Sequence, residues 1–190
     1  MLLTEKPSDW VFELETPELG EDTGSTSRTW QKTVDSSLSY NSQEFSFKGP
    51  LQVYAEAQWA DGGLRVEISV EMTLSSSCSR CLGPADIDIM NDFMYLYTLR
   101  KKGSPPEDSG EEEVIIVPVD FWRNTIDISD QVWETVMTSL PLRVICSPDC
   151  KGMCPLCGKS LREGECGCAQ TATDPRLEKL LDVKISDTEE

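Results

Sequence analysis

The stretch that decides this fold is Cys146-Ser-Pro-Asp-Cys150-Lys-Gly-Met-Cys154-Pro-Leu-Cys157-Gly158, followed closely by Cys166-Gly-Cys168. It holds six of the eight cysteines, and the other two form Cys78-Ser-Arg-Cys81 far upstream. The chain contains no histidine, so a transition-metal site here must be built from thiolates, with or without a carboxylate. A thiolate-rich ligand set is typical of zinc.

Four of these cysteines have the spacing of one closed zinc site: Cys154, Cys157, Cys166 and Cys168. The two-residue spacing in the first pair lets both thiolates reach one ion, and Gly158 permits a positive φ in the turn. The second pair would complete a tetrahedron. Since four protein ligands leave no open coordination position, the pattern predicts a structural zinc.

The remaining four cysteines predict a second closed zinc site by count: Cys78, Cys81, Cys146 and Cys150. This site would join a turn at a strand end to the segment that leaves a predicted helix, adding a crosslink to a modest core. The alternative is that Cys78 and Cys81 are free thiols in a turn. Both interpretations are open at the level of the sequence.

Composition limits the class of protein. The 190 residues include 34 acidic and 17 basic side chains, and the net charge is −17. A chain of this length can bury one ordinary core with a small metal-bound appendage. The negative charge disfavours membranes and naked nucleic acid as partners on electrostatic grounds.

The thiols also indicate a compartment and argue against enzyme classes. The N-terminal residues lack the pattern of a signal peptide, and no stretch approaches the ~18 apolar residues that span a bilayer. We therefore expect a cytoplasmic protein whose clustered cysteines bind metal rather than form disulfides. Without histidine, the common nucleophile systems are excluded, and we expect a protein that is not an enzyme and has no small-molecule substrate.

Alternation of apolar and polar residues gives the strongest structural signal. It runs from Leu51 to Trp59, stops at the turn sequence Asp61-Gly62-Gly63, and resumes from Leu64 to Leu74. The pattern predicts an antiparallel hairpin with one dry and one wet face. Residues 84–99 look extended and predict a third and a fourth strand of the same sheet.

Other segments are assigned from weaker patterns. Residues 10–16 are interpreted as a short strand, 20–29 as a loop, 30–47 as strand, and 114–117 as an edge element. A helix is predicted to begin near Asp127 or Ser129 and to end at Pro141, and its apolar stripe would cover the dry face. The stripe consists of Ile128, Val132, Val136 and Leu140.

The predicted fold class is α+β, with an antiparallel sheet, a covering helix and a C-terminal zinc ribbon. Residues 1–145 would form the sheet domain, with a mobile acidic loop at about 101–113. Residues 146–170 would form the ribbon, and 171–190 a short helix with an acidic tail.

The residues suggest two further functions, redox chemistry and RNA binding. Cys78-Ser-Arg-Cys81 has the spacing of a redox dithiol, but the extended residues after it argue against the helix that such chemistry uses. Basic residues near aromatics at Arg100 are better explained as a solvated strand end than as an RNA site. Possible RNA contacts are instead the basic residues of the cysteine-rich segment, Lys151, Lys159 and Arg162.

The strings Cys78-Ser-Arg-Cys81-Leu and Cys146-Ser-Pro-Asp-Cys150-Lys-Gly-Met-Cys154-Pro-Leu-Cys157-Gly resemble the YceD-type family of large ribosomal RNA subunit accumulation proteins. The resemblance covers roughly Leu51 to Leu181. It implies a non-enzymatic factor needed for large-subunit ribosomal RNA to accumulate, acting in ribosome assembly, and it supplies no catalytic residues.

For partners, the charge favours an assembly intermediate or a basic ribosomal protein, contacted through Glu107 to Glu113 or the C-terminal tail, with at most a weak direct RNA contact. A zinc-dependent redox switch or holdase chaperone is the alternative from another class of function.

Overall fold

A computed structural model describes residues 2–18, 24–60, 62–100 and 114–168. Within these ranges the chain forms ten strands, one α-helix and a short 3-10 turn at Leu161–Glu163. The strands are β1 (Leu2–Leu3), β2 (Glu13–Glu15), β3 (Ser25–Lys32), β4 (Ser37–Tyr40), β5 (Gln43–Phe47), β6 (Leu51–Ala60), β7 (Gly63–Ser77), β8 (Pro84–Leu99), β9 (Val114–Val119) and β10 (Thr125–Asp127), and the helix is α1 (Ser129–Thr138).

The large sheet is centred on β7. This strand pairs with β8 along one edge and with both β6 and β5 along the other. Beyond these neighbours, β5 pairs with β4 and β4 with β1, while β6 pairs with β3 and β8 pairs with β9. Most pairs are antiparallel, but β1 runs parallel to β4 and β9 runs parallel to β8. The predicted antiparallel α+β fold therefore needs correction, because the sheet is mixed and the described chain is mostly strand with one helix.

The hairpin predicted from alternation is confirmed. β6 and β7 pair from Gln52 with Glu71 to Ala60 with Gly63, and every residue from Leu64 to Leu74 that alternation places inward is buried. No residue larger than glycine fits at position 63 without a shift, because a Cβ added to Gly63 would lie 2.1 Å from the carbonyl oxygen of Tyr97 on β8. Strand β8 can therefore approach the hairpin closely at this point.

The dry face of the large sheet is covered by α1 and by a second sheet of two strands, β2 and β10. The predicted stripe on the helix is buried, as expected, and the helix begins where Asp127 Oδ1 accepts a hydrogen bond from Ser129 N at 2.9 Å. The buried Ser129 hydroxyl accepts from Phe12 N at 2.8 Å, which joins the helix start to the N-terminal segment. Trp10 packs edge to face on Trp133, with 5.6 Å between the ring centroids.

Three assignments from the sequence were wrong or incomplete. The loop predicted for residues 20–29 is strand from Ser25 onward, because β3 pairs with β6 over eight residues as an edge strand. Residues 30–47 divide into three strands, and residues 84–99 form one long strand rather than two. Backbone pairing decides β3, whose polar side chains lack the alternation that sequence reasoning depends on.

Several predictions fall outside the described residues: the acidic loop at 101–113, the helix at 174–181 and the acidic tail. The division into units at residues 145 and 170 stays a prediction. In the described ranges, no helix is both long and apolar enough to cross a membrane.

Two buried tyrosines on β8 face the helix. The Tyr95 hydroxyl lies 3.1 Å from Thr135 Oγ1, and the Tyr97 hydroxyl donates to Gln131 Oε1 at 2.9 Å. Burial raises the pKa of Tyr95 to about 12 and also raises the pKa of Tyr97. Both hydroxyls therefore keep their protons in the folded protein at pH values where an exposed tyrosine ionises.

We predict that the free energy of unfolding falls as pH rises from about 10 to about 12. In this window the folded state binds more tyrosine protons than the unfolded state, so stability declines with pH and is fully present below pH 10. Urea unfolding at a series of pH values measures the slope. The double variant Tyr95→Phe/Tyr97→Phe should flatten it, whereas Tyr54→Phe, at an exposed position on β6, should leave it unchanged. Identical slopes in all three proteins would contradict the prediction.

Candidate metal centres

The cysteines form two tetrads. The first, which we call the core tetrad, consists of Cys78, Cys81, Cys146 and Cys150, whose sulfurs all lie within 4.8 Å of one another. Two measured edges are 3.8 Å, from Cys78 Sγ to Cys150 Sγ, and 3.7 Å, from Cys81 Sγ to Cys146 Sγ. A tetrahedron with metal–sulfur bonds of about 2.3 Å has edges of about 3.8 Å, whereas a disulfide would need about 2.05 Å. The arrangement fits a four-coordinate metal ion and not disulfides.

The core tetrad is built into the hydrophobic core. Cys78 and Cys81 lie in the turn between β7 and β8, and both are buried among the core residues. The segment that follows α1 approaches this turn through a hydrogen bond from Ser79 N to the carbonyl of Val144 at 2.8 Å. It also places Cys146 N 3.4 Å from Cys78 Sγ. The tetrad thus connects residues that are 65 to 72 positions apart.

The second group, which we call the ribbon tetrad, consists of Cys154, Cys157, Cys166 and Cys168, whose sulfurs also lie within 4.8 Å of one another. Cys154 is buried and Cys157 is exposed, while the other two are half-buried. All four come from a single short segment, and a bridge between Met153 and Ser160 holds its first turn together. The ribbon tetrad is therefore local, in contrast to the core tetrad.

The first cysteine pair of each tetrad lies in the same kind of turn. Cys78 N donates to the carbonyl of Gly83 and Leu82 N donates back to the carbonyl of Cys78, at 2.8 and 2.9 Å. The ribbon repeats both bonds at the corresponding positions, from Cys154 N to Lys159 and from Gly158 N to Cys154, again at 2.8 and 2.9 Å. The turns therefore share one backbone geometry despite their different sequences.

This geometry requires a positive φ at the fifth residue of the turn. Gly158 adopts φ +71° without difficulty, but the first turn places Leu82 at φ +58°. A side chain in this left-handed region costs about 1–2 kcal/mol, and the Leu82 side chain is also 65% exposed. Sequence reasoning found the glycine in the second turn and missed the strained leucine in the first.

The thiol pKa values differ between the cysteines of each tetrad. A backbone hydrogen bond from Cys146 is the largest cause that lowers the pKa of Cys78 to about 6, and one from Cys157 does the same for Cys154. Hydrogen bonding to neighbouring thiols raises the pKa of Cys146 and of Cys168 to about 12. One thiolate is thus favoured per tetrad, and the remaining protons must be displaced by a cation before all four sulfurs can act as ligands.

Two arginines donate to backbone carbonyls around the tetrads: one joins the two halves of the core tetrad, and the other joins the ribbon to β8. Arg80 Nη1 donates to the carbonyls of Pro148 and Cys150, both at 3.2 Å, and Arg162 Nη1 donates to the carbonyl of Pro84 at 3.0 Å. Arg162, predicted as a possible RNA contact, is therefore engaged in packing the ribbon against the start of β8. Arg80 was missed, since a single basic residue inside a C-x2-C turn gives no signal of its carbonyl partners.

The other two predicted RNA contacts, Lys151 and Lys159, are exposed. Lys151 lines an open groove of about 700 Å³ beside Cys166 and Cys168. Both lysines belong to the ribbon segment, where their charges would offset part of the negative charge of four thiolates that hold a metal ion. A role in RNA binding stays a prediction.

The fold and its sites define a mostly β protein with two cysteine tetrads that could each hold a metal ion. A family described as "Large ribosomal RNA subunit accumulation protein YceD" matches residues 66–184, and this chain belongs to that family. The match begins in β7 and includes all eight cysteines. It confirms the resemblance drawn from the cysteine strings, although β6 lies outside the matched range.

Curated relatives share part of their length with this chain. An uncharacterized protein of Mycobacterium tuberculosis is 31% identical over 121 residues, which cover 64% of this chain and 56% of the relative. The chloroplastic "Large ribosomal RNA subunit accumulation protein YCED homolog 1" of Arabidopsis thaliana is 25% identical over 146 residues, 66% of this chain and 46% of the relative. The chain spans about half the length of the curated relatives it matches. No solved structure matches it significantly.

The two tetrads should differ in what they stabilise. Cys81→Ser should destabilise the sheet domain by at least about 3 kcal/mol, or roughly 6–12 °C in Tm, because it would open the long-range crosslink that a metal ion in the core tetrad would form. Cys154→Ser should leave the core within about 2 °C of the wild type, because its tetrad is local. All five tryptophans lie between residues 10 and 133, so thermal melts followed by tryptophan fluorescence report the core alone.

The ribbon can be followed separately by limited trypsin digestion, since Lys151, Lys159 and Arg162 lie within it. Cys154→Ser should expose these sites to cleavage while the tryptophan transition is retained. Equal losses of Tm in the two variants, or no loss in Cys81→Ser, would contradict the division into a core and a local tetrad.

Proposed function

We propose that this protein is a non-enzymatic factor that supports accumulation of large-subunit ribosomal RNA by acting in ribosome assembly. The observation that carries this proposal is the family match over residues 66–184, which includes both cysteine tetrads. The printed name of the plant relative supports the same role. The protein would act in the cytoplasm, where reducing conditions keep its cysteines available as ligands.

We further propose that each tetrad binds one structural zinc ion. The all-sulfur donor set and the edges near 3.8 Å support zinc, whose preferred site in the absence of histidine is tetrahedral with four thiolates. A site closed by four protein ligands has no position for a substrate or a reactive water. The zinc would therefore stabilise the fold, which is the basis for proposing a role without catalysis.

The net charge of the chain indicates what kind of partner it would bind. With a net charge of −17, the chain would be repelled by bare RNA at long range and attracted by basic proteins. We therefore propose that it acts on an assembly intermediate through a basic ribosomal protein. Any RNA contact would be secondary and would use Lys151 and Lys159, with Arg162 committed at least in part to the carbonyl of Pro84.

Protein expressed without added zinc should contain two zinc ions per chain. Each of the variants Cys81→Ser and Cys154→Ser should contain one, because each removes a ligand from one tetrad only. Metal analysis by mass spectrometry checks the stoichiometry. A single zinc ion in the wild type would leave one tetrad without support as a metal site. A wild-type protein that contains no zinc would contradict the zinc proposal.

The same preparation separates the structural role from a redox switch or holdase chaperone. Brief treatment with dilute hydrogen peroxide should leave zinc bound in the core tetrad, whose Cys78 and Cys81 are buried. A redox switch would instead release the metal rapidly, form disulfides and begin to suppress aggregation of an unfolded client protein.

Depleting the protein in its host should lower large-subunit ribosomal RNA relative to small-subunit ribosomal RNA. The wild-type gene should restore the ratio, and Cys81→Ser should restore it less well, because that substitution destabilises the sheet domain. RNA electrophoresis measures the ratio. A ratio that stays constant after depletion would contradict the proposed function.

The proposal of a protein partner has its own test. Tight binding to protein-free ribosomal RNA that is lost on replacing Lys151, Lys159 and Arg162 would contradict that proposal.

A further inference from the structure

One face of the large sheet is left uncovered in the described structure. The helix and the β2–β10 sheet pack on the face that carries the buried residues of β6, β7 and β8, and the opposite residues point away from them. We call this opposite surface the open face. The strand register places its side chains in rows, such as Tyr54 beside Ser69 beside Asp92, and Gln52 beside Glu71 beside Met90.

The open face is strongly biased towards negative charge. Across β6, β7 and β8 its acidic members are Glu56, Glu67, Glu71, Asp86, Asp88 and Asp92, and Arg65 is the basic residue on these three strands. Asp86 is paired with Lys48 at 3.5 Å. Within the described residues, Glu67, Glu71 and Asp92 form no ion pair within 4.0 Å, and all three are exposed.

A solvated antiparallel sheet needs polar residues on its wet face, but it does not need them to share one sign. Here Glu56 lies directly opposite Glu67, and like charges in this position oppose strand pairing. Mixed charges would satisfy water equally well and would favour pairing. Solvation alone therefore does not account for the sign of this face.

Apolar side chains stand among these acids. Met90 is 79% exposed and Tyr54 is 39% exposed, and both point to the open face between the acidic rows. Met94 and Leu96 on β8 share this face and are half-buried. Lysine and arginine side chains combine a cationic end with an apolar stem, so a surface of carboxylates with methionine and tyrosine between them complements both parts.

We propose that the open face is the docking surface for an extended, lysine- and arginine-rich segment of a protein partner. The proposal rests on the proposed function, because it names the surface through which a basic ribosomal protein would be held. It differs from the sequence-based expectation, which assigned that contact to Glu107–Glu113 or to the C-terminal tail. Neighbouring strands lie about 4.8 Å apart, so β3, β6, β7 and β8 give a platform about 14 Å across between the outer strand axes.

The test compares two triple variants with the same change in net charge. The face variant is Glu67→Gln/Glu71→Gln/Asp92→Asn, and the control is Glu5→Gln/Asp35→Asn/Glu134→Gln, whose residues are exposed and lie outside β6, β7 and β8. The probe is a 20-residue peptide of alternating lysine and serine, titrated at 0.15 M salt with the full-length protein. Thermal melts accompany the titrations, and the face variant should be at least as stable as the wild type because like-charge repulsion is relieved.

We expect the face variant to weaken peptide binding about tenfold and the control by less than twofold, since exposed charge pairs act mainly at close range. Amide NMR shifts on adding peptide should concentrate in β6, β7 and β8 and not in α1. Equal weakening in both variants would show that net charge alone binds the peptide and would overturn the proposal. Stronger binding of a 20-nucleotide RNA than of the peptide would overturn it in favour of an RNA partner.

Different results would contradict the docking surface and the proposed function. If depletion leaves the ribosomal RNA ratio unchanged, the proposed function is contradicted whatever the peptide does. If depletion lowers the ratio but the face variant restores it as well as the wild type, the function stands and the docking surface is wrong. The supporting result is a stable face variant that restores the ratio less well than the control variant.

Discussion

The convergence of four cysteine sulfurs from two distant turns is the constraint on which the rest of the structure depends. Cys78 and Cys81 terminate the long β7–β8 hairpin, and Cys146 and Cys150 follow the helix that covers it. A metal ion bound by these four sulfurs would fix the end of the hairpin against the segment that follows the helix, where Ser79 N already donates to the carbonyl of Val144. Arg80 strengthens the same junction by donating to the carbonyls of Pro148 and Cys150. The ribbon then docks on a turn that is already held in place.

The sheet gives the molecule two faces of opposite character. Apolar side chains on one face bury themselves under α1 and the N-terminal segment, which supplies Trp10, Phe12 and Leu14. The other face is acidic, whereas exposed lysines lie at the ribbon end of the protein. In a molecule with a net charge of −17, the sheet thus presents negative charge, and Lys151 and Lys159 would reduce the repulsion between thiolates in the ribbon.

How far the sequence determined these features can be judged from particular residues. Strict alternation identified β6, β7 and their turn, and the i, i+4 stripe identified α1, because burial imposes those periods directly. Counting cysteines predicted the same two groups of four that the structure brings within 4.8 Å of one another, and their binding of metal stays a prediction. The start of β3 was missed because its polar residues pair through the backbone. The parallel pairing of β9 with β8 was missed because a pattern of apolar residues does not report the direction of a strand. Leu82 and Arg80 were missed because their roles depend on φ and on carbonyls far away in sequence.

The shared geometry of the two C-x2-C turns makes the order of synthesis important. Either turn could offer two thiols to the other, and a tetrad of Cys78, Cys81, Cys154 and Cys157 would be chemically plausible but would have the wrong connectivity. At about 5–20 residues per second, Cys78 and Cys81 wait roughly 3–13 s for Cys146, which follows Cys81 by 65 positions. Cys146 and Cys150 then leave the ribosome before the second turn does. The linear order of the cysteines therefore gives the predicted partners of the first turn a short head start over its look-alike, about 0.2–0.8 s for the four positions between Cys150 and Cys154.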